Sequence, residues 1–310
     1  MIRDPRDLPF LSLLARVTPL LPAAALLLQG AWFSWWFAAA YLACVVWWLG
    51  PFVLMLHNVS HRPCFTRRWR FLNGYIDWVV GPLFGLTPWT YFAHHVGIHH
   101  PENNLGDDVS STMRYQRDSL VDFLCYFGRF LVFSLVDVAA YLKKRGRVKL
   151  LRRAIAGECA WWAAALAAAA HNWRGAVVVF FVPLLVARFG MMSGNWAQHA
   201  FIDAASPGNN FRNSIACVDT LYNRRCFNDG YHIGHHLRPN RHWTEMPGDF
   251  IASREAYARE GAIVFRGLDY MAIWFLLMRK KYDTLARHVV DPGGRDMAAL
   301  LRERARRIAV

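Results

Sequence analysis

Acid is scarce in this chain, and paired cysteines are absent. Across 310 residues, 22 Asp and Glu stand against 36 Lys and Arg, while 55% of the residues are apolar. The six cysteines (Cys44, Cys64, Cys125, Cys159, Cys217 and Cys226) form no CxxC pair. They read as free, mostly buried thiols in a reducing compartment. No groove-reading nucleic-acid motif occurs, and the apolar runs, with 14 Trp in the chain, are too long for a soluble nucleic-acid binder. The positive excess therefore points to an anionic lipid surface, with no nucleic-acid partner expected. Residues 1–14 hold two acidic groups before a short apolar region with no small-residue cleavage site, so this segment is expected to be retained rather than removed as a signal peptide.

Charge is missing altogether from 31–56, "AWFSWWFAAAYLACVVWWLGPFVLML", which exceeds the ~20 residues that a spanning helix needs. The run 10–28 before it is apolar except for Arg16, so the two predict a tight helical hairpin about Gln29 and Gly30. A second pair is predicted at 155–170 and 175–194, joined by "HNWR", with Arg188 near the end of its last member. Two further stretches are poor spans. The first, 75–93, is broken by Asp77, Pro82 and Pro88; the second, 120–142, carries Asp122, Arg129 and Asp137. Both are expected to lie at the interface. The connecting turns hold one basic residue, Arg174, whereas 57–153 holds 14 Lys/Arg and 195–310 holds 17. Because Lys and Arg are retained on the cytoplasmic side, both long segments and both termini are expected there.

Histidine is the residue present in pattern. Nine of the thirteen fall at helix-compatible spacings: His57 and His61 in "HNVSH"; His95, His99 and His100 in "HVGIHH"; His232, His235 and His236 in "HIGHH"; and His199 in "NWAQH". Residues three or four apart on a helix share a face, so each cluster can aim imidazoles at one point. His94 is adjacent to His95 but points elsewhere on a helix. His171, His242 and His288 read as solvated or hydrogen-bonded singletons. Nine imidazoles exceed what one zinc takes, and no haem uses so many. They divide into four or five per ion across two ions with positions open for O2, for which a pair of non-haem irons fits best; chemistry alone leaves copper open. Two other classes compete. A metal transporter would need titratable groups within the spans, and 31–56 has none. A zinc hydrolase would need HExxH or a glutamate within a histidine cluster, and neither is there. A shared site also needs an even number of crossings between His100 and His199. The 155–170 and 175–194 pair supplies two, so neither 120–142 nor 75–93 can be a further span.

On these residues the sequence resembles the membrane fatty acid desaturase superfamily, which includes membrane hydroxylases. The resemblance covers about 31–247: "HNVSH", "HVGIHH" and "HIGHH" match its three histidine boxes. "NDGYHIGHH" is similar to its late N-x-G-Y-H-x-x-H-H stretch, and Asn195 with His199 looks like its extra ligand histidine beside an asparagine that reaches a metal through water. The resemblance implies one all-α integral membrane domain over 1–310, with four transmembrane helices in two hairpins (10–28, 31–56, 155–170, 175–194). It also implies a cytoplasmic helical cap, 57–154 and 195–310, holding a dimetal site of two iron ions cycling between Fe2+ and Fe3+. O2 is the implied co-substrate, and the substrate is a fatty acyl chain as free acid, CoA, ACP or lipid ester. No haem-binding HPGG is present, so electrons are expected from a separate ferredoxin or cytochrome b5 with its reductase. The expected home is a bacterial inner membrane. Desaturation leads; hydroxylation, or oxidative decarboxylation to a terminal alkene, are the alternatives on the same centre. Membrane alkane hydroxylases are longer, with six spans rather than four.

Three polar stretches carry competing readings. Residues 102–119, with Asp107, Asp108, Arg114, Arg117 and Asp118, read as a polar loop before a helix capped by Ser110 or Ser111, or as a headgroup or donor contact. The runs 67–70 and 143–153 read as anionic-lipid contacts or as a dock for an acidic electron donor.

Overall fold

The computed structural model describes residues 1–290 and 294–308, so 291–293 and the last two residues of the expected cap lie outside it. Helix dominates, and among the described residues four helical runs are long and apolar enough to cross a membrane: Pro5–Gln29, Trp35–His61, Leu120–Lys144 and Val148–Gln198. The chain divides into two compact units, Met1–Gly97 with Val138–Phe189, and Ile98–Asp137 with Gly190–Val310.

In the first unit, helix α1 (Leu8–Gln29) and α2 (Trp35–His61) form the first hairpin. The Ser34 hydroxyl accepts the Phe37 N–H at 3.1 Å and starts α2. The Arg16 guanidinium lies 5.6 Å from the Trp48 ring, as antiparallel neighbours about residue 32 should. Helix α2 continues beyond the expected end at 56 and carries both His57 and His61.

Helix α3 (Leu120–Lys144) is continuous, with buried positions Phe123, Tyr126, Ser134, Val138, Tyr141 and Leu142 at helical spacing and apolar residues such as Val121, Val132 and Val136 exposed. By length and composition it is a candidate span, although its charges led the sequence to suggest an interfacial helix. Among those charges, Arg129 and Asp137 pair with each other at 2.8 Å.

Helix α4 (Val148–Ala176), a π-helical turn at Val177–Phe181 and α5 (Val182–Gln198) make one hydrogen-bonded run, but it is not straight. In a straight helix Trp161 and Phe180 would stand about 28 Å apart; their ring centroids are 5.7 Å apart. The reversal falls at Asn172, whose φ of −148° and ψ of 95° are extended. The Asn172 amide donates to Leu28 O at 3.2 Å, and its Oδ1 accepts the Gly175 N–H at 3.2 Å. The second predicted hairpin is therefore present, with Trp161, Ala165 and Leu184 in its core.

The broken segment 71–94 is short helices interrupted by a π turn at Ile76–Val80 and by left-handed residues Gly85 (φ 74°) and Trp89 (φ 65°). The Asp77 carboxylate accepts the Trp89 N–H at 3.1 Å and holds that strained residue. A Cβ on Gly157 would lie 1.9 Å from Pro88 O, and one on Gly85 would lie 2.2 Å from the Pro183 and Leu184 backbone. Such close backbone approach locks this segment between the two arms and prevents a single long helix. Behind it, Glu158 accepts hydroxyl hydrogen bonds from Thr87 (2.6 Å) and Thr90 (3.1 Å), with Arg188 at 3.8 Å.

In the second unit, β1 (Ile215–Val218) pairs in parallel with β2 (Ile263–Arg266), Ile215 opposite Ile263. The unit also holds α6 (His232–Leu237), α7 (Arg254–Arg259), α8 (Tyr270–Met278), α9 (Tyr282–Arg287) and α10 (Met297–Arg304). A core of Ala216, Val218, Ile233, Tyr257 and Val264 fixes α6 against the strands. The six cysteines are free, but only Cys64, Cys217 and Cys226 are buried; Cys125 and Cys159 are exposed on apolar helices.

Candidate metal centre

In the first unit, three predicted histidines meet. α2 supplies His57 and His61 one turn apart, ring centroids 5.5 Å, because the helix runs unbroken through both. A π-helical turn, His95–His99, follows the broken segment and presents His95 to them: His61 Nε2 and His95 Nε2 are 3.1 Å apart, and the His57 and His95 rings 4.4 Å.

In the second unit, His99, His199, His232 and His236 form a group whose ring nitrogens all lie within 4.8 Å of one another. The Nε2 atoms of His232 and His199 are 3.4 Å apart, and those of His236 and His232 are 3.0 Å apart. The remaining two predicted ligands also meet, His235 Nε2 and His100 Nε2 at 2.9 Å. The sequence pattern treats His95, His99 and His100 as one cluster. The structure distributes them, His95 to the trio, His99 to the group of four and His100 to the pair, through the wider π turn that lies between them.

For His99 and His199 the ring orientation is set by the far nitrogen. His99 Nδ1 lies 2.7 Å from Asp108 Oδ2, and His199 Nδ1 lies 3.0 Å from Asn213 O and 3.1 Å from its Oδ1. Both partners are acceptors, so Nδ1 carries the proton and the Nε2 lone pair is left to face the group. Burial, then the neighbouring His99, holds His199 down at about 3. Burial, with His232 and the other imidazoles, holds His236 well below its usual value. His199 and His236 are thus neutral, and the ring nitrogens of the group converge on one another. Neutral imidazoles with converging lone pairs are what a divalent transition metal takes as ligands, so the donor set fits.

Residues 102–119 do not form the simple capped loop that the sequence suggested. Ser119, not Ser110 or Ser111, accepts the Asp122 N–H at the start of α3. The loop is instead the buried scaffold of the centre. Asp108 also accepts from Asn104 N (3.0 Å), Ser110 N (2.8 Å) and Ser110 Oγ (2.8 Å). Asn103 and Asn104 adopt left-handed φ values of 49° and 61°, which asparagine tolerates, and their turn brings Asp108 under His99. The Asn213 amide donates to Asn103 O at 2.6 Å, tying the partner of His199 to the same loop. Arg117 is fully buried, and its guanidinium donates to the carbonyls of Thr112, Met113, Ala200, Arg304 and Arg306. It ties the loop to the residue after His199 and to the end of α10. The sequence singles out the stretch that holds Asp108 and Arg117 but gives neither this role, and nothing local marks Asn213.

Asn195, expected to reach a metal through water, sits in α5 one turn before His199. Its amide donates to Ser110 O at 3.0 Å and Tyr126 OH at 2.7 Å. These bonds brace α5 against the scaffold loop and leave Oδ1 as the polar atom of the side chain for a water. Of the histidines outside the pattern, His171 is exposed, His242 Nδ1 meets Thr244 Oγ1 at 2.8 Å, and His288 Nδ1 meets Arg266 O at 2.9 Å.

The family model described as fatty acid desaturase matches residues 30–267. No curated protein and no solved structure matches the chain.

Proposed function

The chain belongs to the fatty acid desaturase family, and on that premise we propose that it is an O2-dependent desaturase acting on an unactivated C–H bond of a fatty acyl chain. The carrying observation is the buried group His99, His199, His232 and His236, with converging ring nitrogens and with His99 and His199 oriented from behind. We assign one iron to these four. His57, His61 and His95 in the first unit and His100 and His235 in the second supply the remaining ligands, so that all nine predicted histidines serve two irons. Side-chain acids and bases do not cleave a methylene C–H bond, and the iron pair with O2 supplies that chemistry when bound. The chain's own part is to hold the ligand nitrogens deprotonated, fix their directions through Asp108 and Asn213, and present one carbon of the acyl chain. The Asn195 Oδ1 is placed to hold a water beside His199.

The proposed orientation puts the boxes and both termini in the cytoplasm, supported by the Lys/Arg distribution. It requires α3 to lie in the interface plane, because a crossing there would put His100 and His199 on opposite sides. The substrate enters as a free acid, CoA, ACP or lipid ester, and electrons come from a separate ferredoxin or cytochrome b5 with its reductase. Mass spectrometry of products from a panel of acyl substrates, with donor and O2, tests the reading. An alkene two hydrogens lighter is expected; an alcohol would assign hydroxylation, and a terminal alkene one carbon shorter would assign decarboxylation.

A further inference from the structure

We infer that the second unit carries an anion site, separate from the histidine groups, for a phosphate-bearing ligand. A concavity of about 550 Å³ is lined by Arg254, Arg266, Arg287, His288, Val289 and Val290. The three guanidiniums come from three elements: the first residue of α7, the last of β2 and the last of α9. Backbone bonds hold the floor in place. Arg266 N donates to His288 O at 2.8 Å, and Val290 N donates to Val264 O at 2.8 Å. His288 donates its Nδ1 proton to Arg266 O, which leaves Nε2 as its ligand-facing nitrogen.

Among the described residues, every charged side chain in this lining is positive. Arg266 meets Asp219 at 3.1 Å, but both are more than 60% exposed, and such a pair contributes little. Arg287 reaches only the Thr284 hydroxyl, at 3.2 Å, and neither it nor Arg254 pairs with a carboxylate among the described residues. Like charges gathered in a concavity repel one another and concentrate an anion there. The planar fork of guanidinium matches phosphate oxygens two at a time, which an ammonium does not. The volume falls within the range of small-molecule sites, and Val289 and Val290 give one apolar wall. A phosphate monoester or diphosphate satisfies all of these features. It can arrive on a lipid headgroup or on a soluble compound.

The test uses the full chain and does not depend on the iron reading. Calorimetric titration of detergent-solubilised protein with inorganic pyrophosphate is expected to show saturable binding to one site. Losing two guanidinium forks in an Arg254→Gln/Arg287→Gln variant should weaken it by at least about tenfold. The Arg254→Lys/Arg287→Lys variant, which keeps charge but not the forks, should fall between the two, and Arg307→Gln should match wild type. Repeating the titration in nanodiscs separates the sources. If phosphatidic acid in the disc removes pyrophosphate binding while phosphatidylcholine alone does not, the ligand is a lipid headgroup. If both discs leave it intact, the ligand is soluble. Absence of saturable binding, or equal affinity in wild type and the Gln variant, overturns the site.

Discussion

His99 Nδ1 lies 2.7 Å from Asp108 Oδ2, with both side chains buried. This contact fixes which nitrogen of His99 carries the proton, and it comes from a residue nine positions away in a loop without regular structure. Removing such a partner weakens metal affinity by roughly 10- to 100-fold. Asp108→Ala is therefore expected to lose metal at concentrations of a mild chelator that wild type withstands. Elemental analysis after graded dialysis checks it, and unchanged retention would show that the carboxylate only shapes the loop.

The approach of Gly157 to Pro88 O makes a second expectation. A methyl at 1.9 Å from a carbonyl oxygen cannot be accommodated without moving backbone, and overpacking costs about 1–3 kcal/mol or more. Gly157→Ala should lower the midpoint of thermal unfolding in detergent by several degrees. Gly190→Ala, where the new Cβ meets nothing within 4 Å, should leave it unchanged or slightly raised.

Asn172 fastens the second hairpin through side-chain bonds on both its amide and its carbonyl. Truncation in Asn172→Ala should cost about 1–2 kcal/mol by leaving these backbone groups unpaired. The lowered unfolding midpoint should appear with metal content per folded chain unchanged. Loss of metal from folded protein would instead tie the turn to the centre.

The separate-donor proposal has its own signature. Turnover with an acidic redox partner should fall as salt rises from low to about 0.5 M, since charge-steered docking is screened over a Debye length. Neutralising the exposed residues Lys143, Lys144 and Arg145 together should flatten that slope if this run is the dock. A slope that survives would leave the run as a lipid contact. Turnover with no donor at all would contradict the proposal.

Spacing alone revealed the nine histidines, because i, i+3 and i+4 positions on a helix share a face whatever the tertiary structure. The two hairpins were legible for a similar reason: uncharged runs of sufficient length have few alternatives. What spacing did not reveal depends on pairing between distant segments. Asp108, Asn213 and Arg117 work through partners such as His99, Asn103 and Arg304, and nothing in their local sequence specifies those partners. The division of His95, His99 and His100 among three groups rests on a π turn, and an α-helical reading of "HVGIHH" assigns them one face. Leu120–Lys144 marks the limit of composition: its length and apolarity qualify it as a span, while its charges and the parity of crossings argue that it lies in the plane.

The central claim is that nine histidines hold two irons, and metal stoichiometry tests it most directly. Wild-type protein loaded anaerobically with Fe2+, freed of excess metal and analysed for iron per chain should hold two. Replacing His99 or His232 with Ala should remove about one iron or more, as should replacing His61 or His235. His171→Ala and His288→Ala should retain both. A wild-type ratio that stays at one, or a full complement in His235→Ala, would contradict the account.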